Sequence, residues 1–333
     1  MPNTTHMAIP LKTPVSMRVP TRSPLAGRDV LSPTDLTADE TRAVLSLARE
    51  LKHDYGAWRG VLAQRSAVLL FEKPSLRTRV SFEIGLAKLG ATAVYLDHQN
   101  NPIGERETVA DYGRNLERWA DAIVARVRSH ATLTALGAAT RVPVVNALSE
   151  IAHPCQVLAD ALTLEEHGVP LGSARIAFVG DGNNVCQSLI ELVAVVGGAI
   201  SVVVPKPYEP SPVLVARARA LAAASGASIQ IGDDLRLVRG ADAVYTDAWV
   251  SMGQEGDPAK VAAKVAAMRP LQVDEDLMRL AGPQAVFMHC LPAHRGQEVV
   301  DEVIDSDRSV VFDQAENRMH VQNALLLHLL GAV

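Results

Sequence analysis

The segment FEKPSLRTRVSFE, Phe71 to Glu83, sets hydroxyls and guanidinium groups where an apolar run passes into a helix-like pattern. Pro74 breaks the strand pattern before it, and Val80, Ile84 and Ala87 share one face of the helix that follows. Ser75 then falls at or near the N-cap. Free backbone N–H groups and the positive end of the helix dipole favour an anion there, and the Ser75 and Thr78 hydroxyls with the Arg77 guanidinium complete a phosphate cradle. Arg77 and Arg79 cannot both serve in a regular helix, because residues two apart point about 200° away from each other. Arg77 is the expected ligand, and Arg79 the expected partner in a structural ion pair. The same residues also describe an ordinary Ser-capped first turn, so this stretch alone leaves both readings open.

Four more stretches carry polar groups beside apolar runs. In HPCQVLAD, Pro154 suits a first helical turn, and His153, Gln156 and Asp160 recur at i, i+3 and i+7 on one face of an otherwise apolar helix. A histidine beside an amide can polarise a carbonyl and orient its amine; a core histidine capping its own helix leaves the same pattern. VGDGNNVCQSL follows a strand pattern, but Val185 stands at the third glycine position of a dinucleotide fingerprint, and the next strand, ending VVVPKPYE, has no acid at its tip for a ribose. Asn183 and Asn184 instead offer paired hydrogen-bond groups at a strand end, or form a simple turn. In YTDAWVSMGQE, Asp247, Ser251 and Met252 lie just past another strand pattern, the acid suiting a substrate ammonium and Gly253 permitting a mobile loop. In FMHCLPAHRG, Cys290 ends a strand pattern, and Pro292 can carry a cis bond. His289 and Cys290 resemble a base and a nucleophile, yet adjacent strand residues point to opposite faces, which makes a poor dyad. No HExxH or comparable metal-ligand spacing occurs.

These residues need strand ends and helix starts to hold them. Short β-branched runs at 66–71, 92–96, 121–127 and 142–148 read as buried strands, followed by a second set at 175–180, 200–205, 228–232, 242–247, 285–291 and a further candidate, SVVFDQ, at 309–314. Alternation with helical patterns predicts an α/β fold of two domains, each a parallel sheet flanked by helices. A buried helix within 149–168 marks the junction, and Gly168, Pro170 and Gly172 end it. The tail ENRMHVQNALLLHLLGAV has helical spacing and no strand after it, which predicts a closing helix. The expected organisation is a first domain over 28–150 with helix 315–333 packing back on it, and a second domain over 151–314. Pro10, Pro14, Pro20 and Pro24 disfavour the amphipathic helix of a transit peptide, so residues 1–27 are expected as a disordered extension or the product of an upstream start, with Met7 and Met17 as alternative starts.

Bulk composition excludes more than it identifies. With 333 residues, 48% of them hydrophobic and 21% charged, the chain is long enough for two domains. A formal charge of -5 gives no global attraction to nucleic acid or an anionic membrane, so an anion site must be a local basic cluster. Cys155, Cys186 and Cys290 are odd in number and form no CxxC pair, which fits a reducing cytoplasm and neither a disulfide framework nor a zinc knuckle. No apolar run approaches the roughly 18–20 residues of a membrane span.

Taken in order, FEKPSLRTRVSFE, HPCQVLAD, DGNN, DAWVSMGQE, HCLPAHRG and FDQAENRMH resemble the signature set of the ornithine carbamoyltransferases, over about residues 29 to 333. The resemblance implies a carbamoyl phosphate domain, an ornithine domain, a homotrimer with active sites near subunit interfaces, and no metal or organic cofactor. Carried over by motif, Ser75, Leu76, Arg77, Thr78 and Arg126 hold the phosphate, while His153, Gln156, Cys290, Leu291 and Arg318 contact the carbamoyl group. Ornithine falls to Asn184, Asp247, Ser251 and Met252, with the SMG loop closing over it. The resemblance makes Cys290, Asp247, Arg126 and His153 the catalytic set, with Asp247 and Cys290 orienting the amine and helping to deprotonate it, and Cys290 a positioning residue rather than a covalent nucleophile. Two departures stand out. Leu76 replaces a threonine common in the family, leaving only a backbone N–H at that position, and Pro102 replaces a glutamine in a loop that reaches a neighbouring subunit, where Arg106 is the remaining candidate. PSLRTR is also reminiscent of acetylornithine enzymes, so N-acetylornithine and putrescine are the rival acceptors. A nicotinamide oxidoreductase lacks its fingerprint here, and a non-catalytic homologue is disfavoured because every proposed polar catalytic position is occupied.

Overall fold

The structure, a computed structural model, describes residues 23–250 and 256–333. The first part of the chain runs α1 (Ala38–His53), β1 (Ser66–Phe71), α2 (Leu76–Leu89), β2 (Thr92–Asp97), α3 (Val109–Leu116), β3 (Ala122–Arg126), α4 (His130–Ala139) and β4 (Val144–Leu148). Helix α5 (Pro154–Glu166) follows, then β5 (Arg175–Val179), α6 (Asn184–Val196), β6 (Ala199–Val203), α7 (Pro212–Ser225) and β7 (Ser228–Gly232). The chain ends with β8 (Ala243–Thr246), α8 (Pro258–Met268), α9 (Glu275–Ala281), β9 (Val286–His289), α10 (Asp301–Ile304) and α11 (Val311–Leu329). Among the described residues no helix is long and apolar enough to cross a membrane.

The strands form two sheets, ordered β2-β1-β3-β4 and β7-β6-β5-β8-β9, and every pairing is parallel. Central strands such as SAVLLF and AIVAR are buried along both faces, which is why their sequences are apolar without alternation. The runs at 92–97 and 228–232 differ from that expectation. As edge strands, β2 and β7 keep an alternating, partly exposed pattern.

Each sheet has one point where the direction of winding reverses: between β1 and β3 in the first, and between β5 and β8 in the second. Connections leave a reversal point on opposite sides, opening a crevice at the carboxyl ends of the two strands where α/β sheets take ligands. The phosphate-cradle segment follows β1, Arg126 ends β3, the DGNN turn follows β5, and Asp247 follows β8.

Helices α5 and α11 pack together beneath these crevices, with α11 also lying against α1 and α2. Residues Pro154 through Leu164 are all buried, so every polar group on α5 must find a partner inside. Three sequence expectations change here. The strand expected at 309–314 is a single bridge from Ser309 to Phe287, after which α11 begins at Val311, four residues ahead of the predicted 315. The β-branched pair Val310–Val311 reads as strand, but Val310 and Val311 are buried beneath the helix start. The stripe on α2 that enters the core is Thr78, Phe82, Gly85, Leu86 and Leu89, while Val80, Ile84 and Ala87 face outward. Residues 23–27, assigned to the extension, are packed: Leu25 is in the core, Ser23 Oγ lies 3.0 Å from His328 Nδ1, and Gly27 N–H donates to Leu329 O.

Candidate active site

Ser75 is the N-cap of α2, and its hydroxyl accepts from Thr78 N–H at 3.2 Å. That bond satisfies one donor of the first turn and leaves the others, with the dipole, facing a cleft of about 410 Å³. Ser75, Leu76, Arg77, Thr78, Arg126, His153, Gln156, Asn184, Asp247, Cys290, Leu291 and Arg318 all line this cleft. The sequence-derived site residues within the described part of the chain therefore converge from both sheets. Ser251 and Met252 lie outside the described residues. A wider groove of about 1130 Å³ adjoins the cleft and shares Lys73, Pro74, Asn184 and Val250 with it.

One wall is cationic. Arg318, buried on α11, donates to Gln156 Oε1 at 2.7 Å and to Thr78 Oγ1 at 3.1 Å, tying α11, α5 and α2 together. Burial, followed by the neighbouring Arg318 and Arg77, pushes Arg126 down to about 10, so it stays charged at neutral pH. Arg126 Nε and His153 Nδ1 are buried and make no hydrogen bond among the described residues, which suits groups that face a ligand. His153 stands at the N-cap position of α5 without capping it, so the self-capping alternative is not realised. Burial, with Arg318 and Arg126 nearby, holds its imidazole well below the ordinary range, so it is neutral. Arg79 goes elsewhere: it pairs with Glu83 at 3.0 Å and lies over the Tyr95 ring.

The opposing wall centres on Asp247. Its carboxylate accepts from Asn183 Nδ2 at 2.7 Å, from Ala248 N–H at 2.8 Å and from the Cys290 thiol at 3.0 Å. Burial, reinforced by Asp247, raises the Cys290 thiol well above its ordinary range, so Cys290 is a protonated donor and no nucleophile. Asn183 also caps α6 through its oxygen, while Asn184 donates to Ser149 O at 2.6 Å, fastening the second sheet to the end of the first. Asp247, His289 and Cys290 bring one potential metal-donor atom each within 4.8 Å of one another; β9 ends at His289, so Cys290 lies outside the strand whose alternation was expected to separate the last two. Both His289 ring nitrogens are committed, Nε2 to Glu298 at 3.2 Å and Nδ1 as acceptor from Leu291 N–H at 2.8 Å. The trio is therefore neither a free dyad nor an open donor set.

Behind the cleft, Asp160 is fully buried and accepts from both Gln156 and Gln314 at 2.9 Å. Burial raises its carboxyl to about 6 against the opposing pull of those two amides. Several contributors were not assigned from sequence. Glu72, inside the opening segment, uses one oxygen for Ile103 N–H and the other for Arg128 N–H, anchoring the loop after β2 to the end of β3. Lys73 and His294 line the cleft, and Asn183, offered from sequence only as one of a hydrogen-bonding pair at a strand end, holds Asp247. Each lies within a motif already singled out, so adjacency was the available signal. Arg106 is exposed beside a separate hollow with His98 and Tyr112, away from this chain's cleft.

Comparison with known proteins agrees with this geometry. Residues 28–166 match the carbamoyl-P binding domain of aspartate/ornithine carbamoyltransferase, and residues 173–329 match the Asp/Orn binding domain. The chain belongs to the aspartate/ornithine carbamoyltransferase family. Within that family it is 48% identical over 299 residues to the ornithine carbamoyltransferase of Shewanella oneidensis, covering 90% of this chain and 98% of that one. The crystal structure of ornithine carbamoyltransferase from Thermus thermophilus shares 43% identity and a TM-score of 0.80 over 91% of this chain and 98% of that one. The ornithine carbamoyltransferase structure from Pyrococcus furiosus shares 44% identity and a TM-score of 0.88, covering 93% of this chain and 99% of that one.

Proposed function

We propose that this chain transfers the carbamoyl group of carbamoyl phosphate to the δ-amine of L-ornithine, giving L-citrulline and phosphate as a step of arginine biosynthesis. The observation that carries this reading is the opposition, across one cleft, of a helix N-terminus ringed by Arg77, Arg126 and Arg318 to the hydrogen-bonded pair Asp247 and Cys290. Phosphate sits on the α2 N-terminus with Ser75, Leu76 N–H, Arg77, Thr78 and Arg126. His153, Gln156, Leu291 and Arg318 hold the carbamoyl group, and Asn184, Asp247, Ser251 and Met252 hold ornithine.

The neutral δ-amine attacks the carbamoyl carbon, and N–H donors from His153 and the guanidinium groups stabilise the oxyanion as charge develops. Phosphate then leaves into the arginine cradle. Because Cys290 already donates its proton to Asp247, Asp247 is the group that orients and relieves the amine, and Cys290 fixes the carboxylate. The domain reading follows the same division: residues 28–150 with the returning C-terminal helix for carbamoyl phosphate, and 151–314 for ornithine.

A homotrimer in the cytoplasm completes the proposal. Two features support the trimer: the outward apolar stripe of α2, and the position of Arg106 away from its own cleft, from which it can serve a neighbouring subunit. The purified chain should form citrulline and phosphate from carbamoyl phosphate and L-ornithine. Turnover only with N-acetylornithine, putrescine or aspartate would refute the acceptor, and no turnover with any of them would refute the enzyme reading.

A further inference from the structure

Two glutamines in the site face a choice that their own chemistry does not make, since an amide presents a donor at one end and an acceptor at the other and can turn over at little cost. Gln156 and Gln314, on α5 and α11, both direct Nε2 to the same oxygen, Asp160 Oδ1, at 2.9 Å. All three side chains are buried, so no water competes for these groups. Each amide oxygen is thereby turned the other way. Gln156 Oε1 accepts from Arg318 Nη1 at 2.7 Å, and Gln314 Oε1 accepts from the backbone N–H of His289 at 2.9 Å, one residue before Cys290.

We propose that Asp160 is a positioning residue for the reaction, an acceptor that locks both amides and so sets the two walls of the cleft together. Its arm through Gln156 keeps Arg318 on Thr78 and leaves an acceptor lone pair for the carbamoyl NH2. The arm through Gln314 holds the end of β9, from which Cys290 reaches Asp247. An inverted Gln156 would set its NH2 against the Arg318 guanidinium, donor against donor, and open the cationic wall. The Tyr245 hydroxyl also acts on this carboxyl, but both amides meet it at Oδ1, so the lock rests on that oxygen.

The inference rests on the carbamoyl transfer proposed above, and three variants test it separately. Asp160→Asn keeps an oxygen that both amides can reach, Asp160→Leu removes it while keeping the branching of the side chain, and Gln314→Leu cuts one arm. Carbamoyl phosphate affinity is read by titration calorimetry, and kcat with ornithine by citrulline formation. Asp160→Leu should weaken carbamoyl phosphate binding by roughly 10- to 100-fold, the span of one hydrogen bond to a charged group, and Asp160→Asn should restore most of that loss. Gln314→Leu should leave that affinity within about threefold while lowering kcat by about tenfold or more. If Asp160→Leu does not fold, the other two variants decide. The proposal is overturned if Asp160→Asn is as impaired as Asp160→Leu, if Asp160→Leu matches the wild type, or if Gln314→Leu damages carbamoyl phosphate binding as much as turnover. Absence of turnover in the wild type refutes the reaction instead.

Discussion

Arg77 and Asp247 reach one cleft from different sheets, and where burial lowers the pKa of the Arg77 guanidinium the Asp247 carboxylate opposes it. Their tasks nevertheless separate by chemistry: one meets a leaving dianion, the other an incoming amine. Arg77→Ala should therefore raise the KM for carbamoyl phosphate by roughly 10- to 100-fold, the loss of one charge-assisted hydrogen bond, with the ornithine KM nearly unchanged. Asp247→Ala should reverse the pattern. Equal loss for both substrates in both variants, with circular dichroism unchanged, would undo the division. At this scale the sequence was informative wherever a residue acts through its neighbours in the chain. Helix geometry alone separated Arg77 from Arg79, and the structure sends Arg79 to Glu83 and Tyr95. Asp160 was visible as a residue on the right face, but its work was not, because Gln314 lies 154 residues along the chain.

The elements were legible to the extent that burial on both faces writes itself into composition. SAVLLF matches its strand residue for residue, whereas the β-branched run at 309–314 is a helix start, since tertiary packing overrides local preference. The helix α2 misleads in another way: it has two apolar stripes, and sequence cannot say which one meets the core. Gly85 marks the inner one. A Cβ at Gly85 would lie 2.5 Å from Asn323 Oδ1 and 2.9 Å from its Nδ2, and Asn323 is fully buried on α11, where it also bonds to Tyr55. Gly85→Ala should destabilise the fold by about 1–3 kcal/mol, the usual cost of overpacking, despite the gain in helix propensity. Thermal or urea unfolding checks this. Trimming the neighbour in Gly85→Ala/Asn323→Ala should recover part of the loss relative to the sum of the single changes. Simple additivity would show that the two helices do not meet at that glycine.

At the scale of the molecule the other stripe of α2 becomes the question. Leu76, Val80 and Ile84 recur every four residues, all exposed, with Val94 of edge strand β2 also open. Three large apolar side chains in one exposed helical row form a stripe of the kind that self-association covers. The same helix carries the phosphate cradle at its N-terminus, so a contact along its outer face would set a neighbouring subunit directly beside the cleft. Burying such a stripe between copies would also brace Ser75 through Thr78 against movement as phosphate departs. The wild-type chain should accordingly run as a trimer in light scattering, and Val80→Asp/Ile84→Asp should yield smaller species. Neither residue lines the cleft, so any loss of turnover in that variant measures what assembly contributes to catalysis. If the variant remains trimeric and fully active, the subunit contact lies on another face and the stripe has no part in it.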